Sequence, residues 1–81
     1  MPVRKRSVVI RGHATSYSVE DEYFEALQEL AKQRELSLAG LVDHIDQNRA
    51  RDANLSSAIR LHVLKAARKG QLSTTTDQEA Q

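Results

Sequence analysis

Residues 13–19, His-Ala-Thr-Ser-Tyr-Ser-Val, decide the fold of this chain. The stretch combines β-branched, aromatic and hydroxyl side chains and directly precedes a helical pattern, so it predicts a short strand. Successive side chains of a strand point to opposite faces. One face is the more apolar and is expected to lie on the helices; it carries Thr15, Tyr17 and Val19. The other face is small and polar and is left to contact something else; it carries Ala14, Ser16 and Ser18.

This strand needs a partner, because a lone strand leaves its backbone N–H and C=O groups unpaired and even one two-stranded ribbon is marginal in water. The rest of the chain reads as helical, so we expect the partner to be the same strand of a second copy. The strand therefore predicts a homodimer with an intermolecular, antiparallel two-stranded ribbon. Residues 8–10, Val-Val-Ile, are a candidate extra strand, and the sequence leaves open whether they join the ribbon.

Two helices are expected directly after the strand. Ser18, followed by acids in the next turn, resembles a capping box, and apolar residues at helical spacing then predict helix A over about residues 19–34. Ser37 is the expected N-cap of helix B, which the spacing of its apolar residues predicts over residues 38–48.

A third helix, helix C, follows a polar link at residues 49–53. Asn54 or Ser56 can cap it, and it is expected to end before Gly70. Helix C carries more apolar residues than one narrow stripe needs, so more than one of its faces is expected to be covered.

The composition favours a small domain that assembles with another chain. At 81 residues and 40% apolar content the core is small, and cores of this size rarely stabilise a monomer well. The chain has no cysteine for a disulfide or a thiolate metal site, so oligomerisation remains as the way to enlarge the core. No apolar run approaches the ~18 residues that span a bilayer, and we expect a soluble, cytoplasmic protein without a membrane partner.

The formal net charge of +1 hides a segregation of charges along the chain. Residues 1–18 contain four cations and no acid, whereas residues 19–36 contain six acids and two cations. Residues 54–70 again contain cations without an acid: Arg60, Lys65, Arg68 and Lys69. Blocks of one sign predict a basic surface that suits a polyanion.

These patterns divide the chain into three parts. Residues 1–12 read as a basic N-terminal arm, residues 13–70 as the folded domain, and residues 71–81 as a polar tail. The tail is aperiodic and is expected to be disordered.

A series of short blocks resembles the ribbon-helix-helix family of the MetJ/Arc/CopG type, and in particular a bacterial subgroup with a third helix. The blocks are Gly12-His13-Ala14-Thr15-Ser16, Val19-Glu20, Ser37-Leu38-Ala39-Gly40-Leu41-Val42, Ile45-Asp46 and Asn54-Leu55-Ser56-Ser57-Ala58-Ile59-Arg60. The resemblance covers roughly residues 7–68. It implies a mainly α protein with one short β-strand, in which an intertwined two-fold dimer places its β-ribbon above interlocked helices.

The resemblance also implies the residues that meet DNA. In this family the outward side chains of the ribbon reach base edges in the major groove, which here assigns the role to Ala14, Ser16 and Ser18. The N-terminus of the second helix typically holds a phosphate, here at Ser37 and Leu38, and a helix N-terminus is an anion site on physical grounds as well. Further phosphate contacts are expected from Arg4, Lys5, Arg6, Arg11 and His13. The dimer core is expected to contain Thr15, Tyr17, Val19, Phe24, Leu27, Leu41, Val42 and Ile45.

The function implied is binding of double-stranded DNA, either sequence-selective or general, by a transcriptional regulator without a cofactor. Family members commonly carry Arg or Lys where this chain has Ala14 and Ser18, so direct base readout is expected to be weak and affinity to rest on phosphate contacts. An alternative is a protein-interaction module, antitoxin-like or adaptor-like, that acts through helix C. A helix-turn-helix formed by helices B and C is disfavoured, because the link between them is longer than the usual turn.

Metal binding and catalysis are both disfavoured. His13, His44 and His62 do not lie three or four residues from one another, so the sequence predicts no metal site. Asp43 and His44 are neighbours on helix B, but so small a chain has little volume for a cleft that excludes water, and we expect no enzyme.

Overall fold

The computed structural model describes residues 2–72 of the chain. Its elements, in chain order, are β1 (Val3–Ile10), β2 (His13–Glu20), α1 (Asp21–Gln33), α2 (Leu38–Asn48) and α3 (Leu55–Arg68). The strands form one antiparallel sheet; α2 packs against β1, α3 packs against β2, and the three helices contact one another. A two-stranded sheet followed by three helices confirms the expected architecture with a third helix. The predicted tail lies, from residue 73 onward, outside the described residues.

The two strands form a hairpin within one chain, which corrects the expectation of one strand per chain. Within the chain β2 pairs with β1, from Val3 opposite Glu20 to Ile10 opposite His13. Residues 3–10 of the expected arm are therefore strand, and they include the candidate extra strand at residues 8–10. The two-residue loop consists of Arg11 (φ 53°) and Gly12 (φ 78°), and positive φ at both positions is what a type I′ hairpin turn requires.

Helix α1 begins two residues later than the sequence pattern predicted. Its N-cap is Glu20, whose side chain makes no capping hydrogen bond, and Ser18 lies inside β2 instead of capping the helix. The physical reason is that Val19 continues the inward alternation of the strand and is fully buried, which holds the chain extended up to Glu20. Asp21 and Glu22 occupy the first turn, where the helix dipole favours acids.

Helices α2 and α3 agree with the predicted bounds. The Ser37 hydroxyl oxygen accepts a hydrogen bond from the Gly40 N–H at 2.9 Å, so the predicted cap of α2 is confirmed. The Asn54 side chain accepts from the Ser57 N–H at 2.8 Å, which makes Asn54 and not Ser56 the cap of α3. The helix ends before Gly70, as predicted.

The hydrophobic core of the described residues draws on both strands and all three helices. Six of the eight residues expected in a dimer core are buried here: Tyr17, Val19, Leu27, Leu41, Val42 and Ile45. The other two, Thr15 and Phe24, are partly buried. Helix α3 adds Ile59 and Val63 to this core. The expected cover on a second face of α3 is not provided by the described part of the chain, since Leu61 is 52% and Leu64 is 48% exposed.

Candidate nucleic-acid interface

The face of the hairpin that points away from the helices carries small side chains. Ala14 and Ser16 are exposed and Ser18 is partly buried, as the alternation of the strand predicted. The register places three residues of β1 directly opposite them: Val9 opposite Ala14, Ser7 opposite Ser16, and Lys5 opposite Ser18. The outward face is therefore twice as wide as the single strand that the sequence suggested.

Ser7 and Val9 were missed as members of this face. No alternation of polar and apolar residues in the sequence of residues 3–10 marks them, although in the structure Arg6, Val8 and Ile10 are at least partly buried and Ser7 and Val9 are exposed. Only the two-residue turn, whose length sets the register opposite β2, could have indicated them.

Two of the four cations expected to meet phosphate lie beside α1. The carboxylate of Asp21 is 3.1 Å from Nε of Arg4 and 3.0 Å from an amino nitrogen of Arg6. The guanidinium of Arg6 also lies 3.5 Å from the centroid of the Phe24 ring, a cation–π contact. Its Nε is buried and has no hydrogen-bond partner among the described residues. Arg6 is thus a helix-facing residue of β1, while the side chain of Arg4 is 61% exposed.

The other two cations are Arg11, in the hairpin turn, and Lys5, near the start of β1. Nε of Arg11 is 3.0 Å from the carboxylate of Asp43, which ties the hairpin turn to the middle of α2. Lys5 is exposed on the outward face, and the described residues 2–72 provide it with no ion pair. His13 is exposed beside the turn, where it lines, together with Arg11, a cavity of about 300 Å³ between the hairpin and α2.

Ser37, at the N-terminus of α2, can cap the helix and can also donate a hydrogen bond to an anion. Its hydroxyl oxygen accepts from the Gly40 N–H as the helix cap, and a hydroxyl that accepts still has its own proton to donate. Leu38 follows as the first residue of the helix and is partly buried. The positive end of the helix dipole lies at this point, so the terminus can attract an anion while it remains capped.

Two side chains of α3 form hydrogen bonds with the backbone of β2 on the edge that does not pair with β1. The Ser18 N–H donates to the Ser56 hydroxyl oxygen at 2.8 Å, and an amino nitrogen of Arg60 donates to the Ser18 carbonyl oxygen at 3.3 Å. Nε of Arg60 also pairs with the Glu20 carboxylate at 3.2 Å. The pKa of Glu20 lies below its usual value, mainly because its own backbone N–H donates to it and also because Arg60 does. Arg60 therefore binds Ser18 and Glu20 at the edge of β2 and is not a free cation of the basic surface expected from residues 54–70.

A groove of about 390 Å³ lies between the end of α2 and α3. Its lining includes the apolar side chains of Ile45, Ala58 and Leu61 and the nitrogen-bearing side chains of His44, Arg49, His62 and Lys65. The fold brings His44 and His62 to the same groove, which their sequence spacing did not indicate. Within residues 2–72 no group of three or more His, Cys, Asp or Glu residues is placed to hold a metal ion.

His62 is held neutral by its surroundings. Nε2 of its ring lies 2.9 Å from an amino nitrogen of Arg34, and because a guanidinium can only donate, Nε2 is the acceptor. Burial of the ring lowers the pKa of His62, and electrostatic interactions with the nearby side chains of Arg34, His44, Lys65 and Lys69 lower it further. The neutral ring joins the end of α1 to α3.

This contact predicts a loss of stability in weak acid. The unfolded chain protonates His62 near its ordinary pKa of 6.5, whereas the folded chain protonates it only at lower pH. The stabilisation by the neutral ring is therefore complete above pH ~6.5 and is lost as the pH falls from there through the folded-state pKa. Urea denaturation between about pH 7.5 and 5 is expected to show this fall for the parent protein and a smaller one for His62→Gln.

His13→Gln is the matched control for this pH dependence, because His13 is exposed on β2. It is expected to keep the fall in stability of the parent protein. An unchanged fall in His62→Gln would show that His62 is not the group responsible.

None of the helices in residues 2–72 is long and apolar enough to span a bilayer. Comparison of the chain with the curated proteins and with the solved structures gave no match. Comparison with family models gave a match to the ribbon-helix-helix domain over residues 3–67, which runs from β1 almost to the end of α3. This chain therefore belongs to the ribbon-helix-helix domain family, whose members are in general DNA-binding proteins of the transcription-regulator type.

Proposed function

We propose that this protein is a transcriptional regulator that binds double-stranded DNA as a homodimer, with the outward face of the β-hairpin in the major groove. The observation that carries the proposal is an exposed sheet face of small side chains in a member of a family that typically binds DNA as dimers. A two-stranded β-ribbon fits the width of the major groove, and small side chains let its backbone approach the bases.

Base readout by this face is weak and tolerant. Ser16 and Ser18 can donate to or accept from most bases, and Ala14 offers a methyl group to thymine. Val9 adds apolar surface beside Ala14, and Lys5 is the one long cation on this face of the described hairpin. The preferred sites are therefore expected to be short and degenerate.

Affinity rests mainly on phosphate contacts. The residues proposed for them are Arg4, Lys5, Arg6, Arg11, His13, Ser37 and Leu38. The ion pairs of Arg4 and Arg11 are solvent-exposed, and exposed ion pairs contribute only about 0–1 kcal/mol, so DNA phosphates can replace Asp21 and Asp43 as their partners.

Selection of bound sequences from a random double-stranded DNA library tests this function. Two-fold symmetry predicts palindromic or repeated half-sites about one helical turn apart. Ser16→Ala is expected to alter the selected sequences more than the overall affinity, because it removes a group that contacts a base edge. Gln28→Ala, an exposed change on α1, is the matched control and is expected to alter neither. The absence of binding to any duplex at low salt would contradict the proposed function.

A second candidate function is an antitoxin-like or adaptor-like interaction through α3. The observation that favours it is the pair Leu61 and Leu64, both about half exposed on the solvent side of the helix. A Leu61→Ser, Leu64→Ser double variant separates the two functions. Loss of a stoichiometric protein partner from nuclease-treated extract, with DNA binding retained, would favour the interaction function.

A further inference from the structure

The groove between α2 and α3 has the size and the mixed lining of a small-ligand site. Its volume is about 390 Å³, and ligand pockets in proteins range over roughly 300–1,000 Å³. Such pockets combine apolar walls with a few polar groups that orient the ligand. Leu61, one of the apolar residues of the lining, is 52% exposed. A ligand in this groove would therefore cover apolar surface that residues 2–72 leave open to solvent.

The α3 wall of the groove places apolar and polar groups side by side. Ala58, Leu61, His62 and Lys65 all line the groove. Residues three or four positions apart are neighbours on a helix surface, so Lys65 lies next to both Leu61 and His62. An apolar side chain, an ammonium group and an imidazole thus meet on one face of α3.

The polar groups of this wall are hydrogen-bond donors. Nε2 of His62 accepts from Arg34, so the single proton of the neutral ring is on Nδ1, and this N–H has no hydrogen-bond partner within residues 2–72. Lys65 is exposed and forms no ion pair in the same part of the chain. Both groups are therefore available to a ligand that accepts hydrogen bonds.

The positive charge at the groove lacks a counter-ion. None of the described residues that line it is an Asp or a Glu. The nearby carboxylate of Asp46 is 2.7 Å from Nε of Arg49 and already paired. The guanidinium of Arg34 donates to His62 and to the side chain of Gln71, neither of which is a carboxylate. The charges of Lys65 and Arg34 thus remain for an anion to balance.

We propose that the groove between α2 and α3 binds a small carboxylate that carries an apolar group, with the carboxylate at Lys65 and His62 and the apolar group on Leu61. One ammonium group and one neutral N–H suit a singly charged carboxylate, whereas a doubly charged phosphate would call for more cations. The site is distinct from the face proposed for DNA, since no residue of the hairpin lines this groove.

Titration of the isotope-labelled full chain with benzoate, followed by NMR, tests the site. Benzoate is expected to shift the resonances of Leu61, His62 and Lys65 and to saturate with a dissociation constant of about 1 mM, as befits so small a ligand. Benzamide lacks the charge and acetate lacks the apolar ring, and both are expected to bind about 10-fold more weakly. Shifts that do not saturate, or equal effects of benzoate and acetate, would overturn the proposal.

Two variants locate the ligand within the groove. Lys65→Ala is expected to weaken benzoate binding about 10-fold, because it removes a charge-assisted hydrogen bond. Leu61→Ala is expected to weaken it by about 5-fold through lost apolar contact. Lys32→Ala, which removes an exposed cation of α1 outside the groove, is the matched control and is expected to leave binding unchanged. Equal weakening by Lys32→Ala and Lys65→Ala would contradict a site at the groove.

The titration of His62 gives an independent readout. A bound carboxylate favours the protonated ring, so saturation with benzoate is expected to raise the pKa of His62 from its lowered value. This rise works against burial and against the side chains that lower the pKa, which are Arg34, His44, Lys65 and Lys69. The Cε1 proton resonance measures it, and the ring resonances of His13, exposed on β2, are expected not to shift on addition of benzoate. A pKa of His62 that benzoate leaves unchanged would refute the placement of the carboxylate.

Discussion

Replacing Leu41 by Ala is expected to lower the free energy of unfolding by about 2–5 kcal/mol, because a fully buried leucine loses its transfer free energy and leaves a cavity behind. Helix α2, which carries Leu41, packs against α1, α3 and β1, so the cavity lies where several elements meet. A domain of 81 residues has a total stability of about 4–12 kcal/mol. Urea denaturation followed by circular dichroism is therefore expected to find the variant close to unfolding.

Leu64→Ala is the matched control, since it makes the same change at a half-exposed position of α3 and is expected to change the stability by no more than about 0.5 kcal/mol. Equal losses in the two variants would contradict a core formed within one chain.

Repeating the titration at two protein concentrations shows whether the core forms within one chain or only in a dimer. The unfolding midpoint of a chain that is stable alone does not depend on concentration, whereas that of an obligate dimer rises with it.

The helices could be predicted from the sequence because their signals are local. Ser37 and Asn54 cap the second and third helices through hydrogen bonds to residues three positions later, and the apolar spacing between cap and end needs no knowledge of the rest of the fold. Ser18 was wrongly predicted as the cap of the first helix, because a contact outside the local sequence decides its conformation. It has the residue type of a cap, but burial of Val19 keeps the backbone extended past it.

The hairpin was harder to predict, because it depends on an unusual turn sequence and on pairing between two separate segments of the chain. The turn residues are Arg11 and Gly12, and Arg is not one of the residues that normally mark a type I′ turn. Arg4 and Arg6 stand at inward positions of β1, where an apolar residue is expected, so the strand resembled a charged arm. Their inward placement depends on Asp21 and Phe24, which follow in the next helix.

The candidate site was predictable for one strand only. Alternation alone assigned Ala14, Ser16 and Ser18 to one face, and the structure keeps them there. The opposite half, with Lys5 and Ser7, depends on the register, which the length of the turn sets and which no local pattern in β2 contains.

Replacing Arg4, Lys5, Arg6 and Arg11 together by Ala is expected to flatten the salt dependence of DNA binding. Each phosphate contact contributes about 0.9 to the slope of log K against log salt, so four cations in each chain of a dimer account for a change of about 7. Fluorescence anisotropy of a labelled duplex across roughly 50–200 mM salt measures the slope. Lys32→Ala removes an exposed cation from α1 and is the control, with an expected slope equal to that of the parent protein.

Two smaller variants divide this effect between the outward-facing cation of β1 and the two that pair with Asp21. Lys5→Ala is expected to remove about 2 from the slope, because Lys5 is exposed and has no ion pair among the described residues. The Arg4→Ala, Arg6→Ala double variant is expected to remove about 2 if both arginines stay paired with Asp21, which neutralises one of the two guanidinium charges. It is expected to remove about 4 if DNA phosphates replace Asp21 as their partner. No change in slope for either variant would mean that β1 does not contact DNA, and the basic surface of this protein would then have to lie elsewhere on the fold.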